Sequence, residues 1–271
     1  MESSDEISQA ILRSFGFFID KLPEPRDRKE ADFLGTFSED RFLIEAKIKT
    51  DPIELLNKKE QTLSKGEVFT SETTLGPDET ILTILREAAR QLRSSAKEHA
   101  HDFKIIFMLC NGVNAKTKRD KVIDALYGRS RLIESGLENP PLKPCYFFRH
   151  AELYRKKDDV DAVIVGYDDL RNGIKLMLCF NSFSDKYSAL RSSMLSRKFG
   201  AAVIDPINEE RKGLAYIPDD NVPRSKENKH YLTPFHNLML HHLAEKYKTN
   251  FLINIDFNCA ELVVRSKESK S

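Results

Sequence analysis

The chain has 271 residues, 43 Lys and Arg against 42 Asp and Glu for a net charge of +1, and 40% hydrophobic residues. That length accommodates one large or two modest domains with a real core. The near-zero charge argues against a protein that coats nucleic acid through bulk electrostatics, because counterion release needs several cations placed on phosphates. No run approaches the roughly 18 apolar residues of a bilayer span, and residues 1–6 lack the basic and apolar regions of a signal peptide. A cytoplasmic protein without a membrane partner is expected. Cys110, Cys145, Cys179 and Cys259 form no Cys-x-x-Cys pair, so reduced, buried thiols are expected rather than a zinc site. His236, His241 and His242 miss the i, i+4 spacing of a helical metal pair.

The first informative stretch is Ala31-Asp32-Phe33-Leu34-Gly35-Thr36-Phe37, followed by Arg41-Phe42-Leu43-Ile44-Glu45-Ala46-Lys47. Both read as apolar strands. Side chains two apart on a strand share a face, so Glu45 and Lys47 point together while Ile44, Ala46 and Ile48 point away. A two-residue loop at Ser38-Glu39 pairs Phe37 with Asp40 and sets Asp32 opposite Glu45, about 4.5–5.5 Å apart at Cβ. A three-residue loop would separate them. Two carboxylates held opposite each other raise at least one pKa unless a cation lies between them. Magnesium is commonly held by one or two carboxylates plus phosphate oxygens, where it polarises a phosphoryl group and acidifies a bound water. Lys47 would either orient or deprotonate that water, or neutralise charge growing in the transition state. Glu-x-Lys recurs at Glu210-Lys212, Glu227-Lys229 and Glu268-Lys270, but only the copy at Glu45 has an upstream aspartate and an apolar strand around it.

Residues 50–77 are polar and read as a flexible loop beside the cleft or an unstructured insertion, with a short helix over 51–59. Residues 78–99 read as a helix, with Pro77 ahead of it and an apolar face of Ile81, Ile84, Leu85, Ala88, Leu92 and Ala96. Arg86, Arg90, Arg93 and Lys97 make a stripe on the opposite side, suited either to a phosphate backbone or to water. A strand follows at 104–109. The second half predicts a helix over 116–135, strands over 160–167 and 174–180, a helix over 184–198, and strands near 201–204 and 214–217. A helix over 233–247 and a strand over 251–257 close the chain, and 267–271 should fray. The Gly- and Pro-containing stretch 114–144 is either a boundary between lobes or an excursion within one sheet. Arg191, Arg197 and Lys198, with Arg149, Arg155, Lys156 and Lys157, are the second-half cations suited to phosphates. They lack the aromatic interleaving that stacks single strands.

The run Phe15-Gly16-Phe17-Phe18, then Asp32, then Glu45-Ala46-Lys47, a long helix and the strand 104–109 resembles the PD-(D/E)xK, or restriction-endonuclease-like, nuclease superfamily. Asp32, Glu45 and Lys47 match the motif's acidic pair and lysine, and Ala31 stands where the motif has proline. The resemblance covers about the first 110 residues. It implies an α/β fold in which a mixed sheet is flanked by helices, with a nuclease-like core over 1–112; beyond the resemblance, 113–271 reads as a C-terminal α+β region, either an extension or a second lobe, of unknown role. It also implies an Mg2+-dependent endonuclease in which Mn2+ can substitute, with Asp32 and Glu45 as metal ligands, Lys47 catalytic, and DNA preferred to RNA as the partner. An acidic residue on the first helix, Glu6 or Glu2, and a helical glutamine, Gln91, match features of some branches. The tyrosine of recombination-type branches is replaced by Ser95. Arg86, Arg90 and Arg93 would contact the nucleic acid, and a homodimer or larger complex is compatible with this reading. One rival is a catalytically silent nucleic-acid-binding or protein-interaction module on the same architecture. A helical ribonuclease using Arg93 and His99 is disfavoured by the strand signals and by their spacing.

Overall fold

A computed structural model describes residues 3–23, 30–76, 78–169, 172–224, 237–255 and 258–263. Glu2, Pro77, Arg171, Lys229, His236, Glu268 and the whole of 267–271 lie outside them. In chain order the elements are α1 (Ser4–Phe15), β1 (Phe18–Lys21), β2 (Phe33–Phe37), β3 (Asp40–Lys49), α2 (Ile53–Ser64), β4 (Phe69–Thr74), α3 (Glu79–Ser95), β5 (Phe103–Cys110) and α4 (Ala115–Tyr127). The second half adds β6 (Ser130–Glu134), β7 (Lys143–Cys145), α5 (Glu152–Arg155), β8 (Ala162–Asp169), β9 (Gly173–Phe180), α6 (Tyr187–Ser192) and α7 (Met194–Phe199). It ends with β10 (Val203–Ile204), α8 (Pro206–Arg211), α9 (Leu238–Tyr247), β11 (Leu252–Asn254) and β12 (Asn258–Val263).

The centre is a seven-stranded mixed sheet in the order β1-β2-β3-β5-β8-β9-β10. β3, β5 and β8 are mutually parallel, whereas β1-β2-β3 and β8-β9 are antiparallel. Central parallel strands are covered on both faces and read as continuous apolar runs, which is the pattern of Phe-Lys-Ile-Ile-Phe-Met-Leu-Cys in β5. One face packs Leu43, Ile106 and Met108 under Ile81, Leu85 and Leu92 of α3 and Val122 and Leu126 of α4. The other packs Phe42, Ile44, Ile105 and Phe107 under Leu12 of α1 and Leu190, Leu195 and Phe199 of α6 and α7. This is a mixed α/β fold with a multi-stranded sheet between helices. A C-terminal α+β region adds a sheet in the order β11-β6-β7, whose core joins Leu132, Cys145, Leu240, Leu243 and Leu252. Among the described residues no helix is long and apolar enough to cross a membrane.

Several sequence expectations change. Strands from both sides of residue 112 share the central sheet, so that position does not separate two sheets. Residues 50–77 carry α2 and β4, and β4 pairs along its length with β12, Phe69 opposite Val263 and Thr74 opposite Asn258. The helix predicted over 116–135 stops at Tyr127, where Gly128 takes φ 56° and the chain turns into β6. The helix predicted over 184–198 is divided at Ser193, whose extended backbone ends α6 and whose side chain caps α7. Residues 214–217 contribute one bridge, Tyr216 to Cys145, rather than a strand. Cys110, Cys145 and Cys179 are buried thiols, and Cys259 is partly exposed.

The junction of β3, β5 and α4 is fastened at Asp51. Its carboxylate accepts the Val113 amide at 2.5 Å and pairs with the Lys118 ammonium, which also donates to the Asn111 carbonyl at 2.7 Å. Gly112 has φ +86°, and a Cβ there would lie 2.2 Å from Asp51 Oδ2. Gly112→Ala therefore destabilises the protein by about 2–4 kcal/mol, combining left-handed strain with loss of the Asp51 contacts. Urea unfolding should show it, and an unchanged midpoint would remove Asp51 as the fastener.

Candidate active site

The β2–β3 hairpin turns at Ser38-Glu39, with Ser38 at φ 56° and Phe37 opposite Asp40. Phe33 pairs with Ile44, so the register carried one residue further sets Asp32 opposite Glu45. Asp32 Oδ2 accepts the Ala46 amide at 2.8 Å, which orients the carboxylate along the neighbouring strand. Leu43, Glu45, Lys47 and Lys49 share the β3 face that α3 covers. Glu45 is fully buried there, and the Lys47 ammonium pairs with its Oε1 while remaining 26% exposed.

Burial dominates the electrostatics. It pushes the Glu45 carboxyl up to about 8, the nearby Asp32 pushes in the same direction, and Lys47 offsets part of the rise. The Lys47 ammonium and a hydrogen bond from the Asp32 backbone favour the ionised carboxylate, but burial outweighs them. A buried carboxyl in that position either keeps a proton or meets a cation. Asp32 and Glu45 supply two carboxylates, a number that a divalent ion with further ligands from water and phosphate would need from the protein. They do not form an all-protein cage, since among the described residues no three His, Cys, Asp or Glu side chains are placed to hold a metal.

Helix α3 positions Asp32 from behind. Asp78 caps the helix by accepting the Thr80 and Ile81 amides at 3.1 and 3.2 Å, and its apolar face lies on β3. Gln91 is buried, but its Nε2 donates to the Glu30 carbonyl at 3.1 Å. It braces the segment leading into Asp32. One turn later, Ser95 Oγ accepts the Ala31 amide at 2.7 Å. Ser95, where the resemblance has a tyrosine, instead places a small hydroxyl on the buried face of α3, four residues after Gln91, a spacing visible in the sequence.

The other candidates fall elsewhere. Glu6 closes a capping box with Ser3, accepting the Ser3 amide at 2.7 Å, and α1 lies on the sheet face opposite Glu45. Arg86 donates to Glu152 at 2.8 Å, and Arg93 makes two bonds to Asp159, one of 2.6 Å. Both acids are nearly buried, so these arginines tie α3 to α5 and its following turn; Arg90 is exposed. Of the second-half cations, Arg155 pairs with Glu152 at 3.1 Å and Arg191 with Asp205 at 2.9 Å. Lys49, at the end of β3, lines a cavity of about 270 Å3 with Lys118 and Lys121.

Fold and site together define a mixed α/β protein with one acid and one lysine on β3 and a second acid immediately before β2. Compared with known proteins, the chain matches no family model, no curated protein and no solved structure.

Two measurements test the site as built. The folded state holds the Glu45 proton more tightly than the unfolded chain, whose ordinary value is 4.5. The resulting stabilisation is complete below that value and is lost as pH rises through about 8. In chelator, wild type should lose on the order of 4 kcal/mol relative to Glu45→Gln across that window; parallel urea-stability profiles would contradict it. Ser95→Ala strands the Ala31 amide and should lower stability by about 1–3 kcal/mol, whereas Ser95→Thr should retain most of it; equal unfolding midpoints for wild type and Ser95→Ala would exclude the brace.

Proposed function

We propose that the chain is a metal-dependent nuclease of PD-(D/E)xK type that hydrolyses phosphodiester bonds of a polynucleotide, DNA in preference to RNA. The observation that carries this reading is the fully buried Glu45, facing Asp32 across the hairpin with Lys47 beside it. Asp32 and Glu45 would hold magnesium or manganese. When bound, such an ion polarises the phosphoryl oxygen and acidifies a coordinated water.

The protein's own groups have separable tasks. The Ala46 amide holds Asp32 in one orientation. Glu45, on the same β3 face as Lys47, keeps the ammonium beside the acidic pair. Partly exposed Lys47 can meet phosphate from solvent, where its charge would stabilise negative charge developing on the phosphoryl group. Packing of α3 on β3 excludes water from Glu45 on the inner side and leaves the Lys47 end open. Lys49 adds a cation on the same strand face.

A second reading has an observation of its own. With its proton retained up to about 8 and Lys47 alongside, Glu45 can be accommodated without an ion, as in a binding module that does not turn over.

The deciding assay incubates plasmid, linear duplex, single strands and RNA with wild type and variants, in Mg2+ or in chelator. Wild type should cleave only with metal, and Lys47→Ala should lose at least about 100-fold in rate. Asp32→Ala should also abolish the upward shift in melting temperature on adding Mg2+. Cleavage in chelator or undiminished cleavage by Lys47→Ala overturns the mechanism. No metal-dependent shift in wild type favours the binding module.

A further inference from the structure

A second cavity, of about 290 Å3, lies where residues 147–154 meet Phe183 and the 220–224 segment. Its apolar wall is a relay of three rings. Phe147 and Phe183 are 4.8 Å apart at 65°, and Phe183 and Tyr154 are 4.9 Å apart at 82°, both edge-to-face. Tyr154 is 57% exposed, so its position leaves a large aromatic surface in water. Phe147 has φ 59°, a left-handed conformation that bulky residues adopt only under constraint and that concentrates at ligand sites.

That constraint comes from both sides of the residue: its amide donates to the Tyr127 carbonyl at 2.8 Å, and its carbonyl is held by Arg224. Its Nε donates to the Phe147 carbonyl at 2.9 Å, Nη1 to the carbonyls of Asp219 at 2.9 Å and Val222, and Nη2 to Pro218 at 3.5 Å. One guanidinium thus clamps both sides of the cavity, so its width is set before anything enters, which lowers the ordering cost of binding. The charged lining is Arg149 and Arg224, with His150, against Asp220. That balance disfavours a cationic guest and favours an anionic one. Aromatic surface and guanidinium side by side match a planar ring carrying a phosphate, and the volume, near the lower end of small-ligand sites, suits one such unit.

We propose that this cavity binds a nucleoside monophosphate unit, its base stacked on Tyr154 and its phosphate facing the Arg149 rim. The unit is supplied either as free nucleotide or as one nucleotide of a strand. The strand source rests on the proposed nuclease reading, while the nucleotide chemistry rests on the cavity alone. The basic segment around Arg149 carries Phe147, Phe148 and Tyr154 interleaved with its cations, contrary to the sequence expectation, and the fold adds Phe183 from the turn after β9.

Binding of etheno-AMP, followed by fluorescence anisotropy in chelator with the full chain, tests this. Wild type should bind saturably in the millimolar range or tighter, and AMP should displace the probe while inorganic phosphate at the same concentration does not. Tyr154→Ala should weaken binding about 5- to 150-fold, the range for stacking one base on one ring, and Tyr154→Phe should restore it. Arg149→Gln should weaken AMP competition but leave adenosine competition unchanged. A short single strand competing better than AMP identifies a strand as the source; one competing no better identifies free nucleotide. Absence of saturable binding, equal binding by Tyr154→Ala, or displacement by phosphate as effective as by AMP overturns the proposal. The readout is independent of cleavage, so this proposal and the nuclease reading fail separately.

Discussion

Packing of α3 onto β3 is the constraint on which the site depends. The apolar face of α3, from Ile81 through Leu92, covers Leu43 and covers Glu45 with it. Each fully buried aliphatic side chain stabilises by about 1.5–3 kcal/mol, and several of them together outweigh the cost of dehydrating one carboxyl. Glu45 responds by holding its proton more tightly. The sheet therefore keeps a destabilised acid at a fixed position beside Asp32 and Lys47, a local conflict sustained by a larger hydrophobic gain. Such conflicts concentrate at functional positions.

The same helix sets the second acid. Gln91 and Ser95 hold the backbone of Glu30 and Ala31, immediately before Asp32. The two acids thus depend on one rigid element through different interactions, van der Waals contact for Glu45 and directed hydrogen bonds for Asp32. Their spacing is coupled to the seating of α3, which Arg86 and Arg93 reinforce from its outer side through Glu152 and Asp159.

What could be read in the sequence was short-range. The Ser38-Glu39 turn determines the Asp32–Glu45 register, alternation places Lys47 with Glu45, and the apolar rhythm of 81–92 marks the face of α3. Gly128 as a helix stop after Tyr127 and Ser3–Glu6 as a capping box are equally local signals. Partners distant in sequence were not legible. Arg86 and Arg93 meet acids 66 residues away, and although Phe and the threonines of β4 favour a strand, the partner it pairs with lies at 258–263. The PD-(D/E)xK resemblance rests on the same local signals, over about the first 110 residues.

The pairing of β4 with β12 joins residues 69–74 to 258–263, among the longest sequence separations in the molecule. Ser71 of β4 accepts from Asn114 at 2.7 Å beside the Lys49 cavity, so this ribbon also borders the open end of the cleft. The polar edge of β4 is therefore closed by a segment nearly two hundred residues away in sequence, and a chain that lost the 258–263 strand would keep both acids and the lysine behind a wall with one side undone.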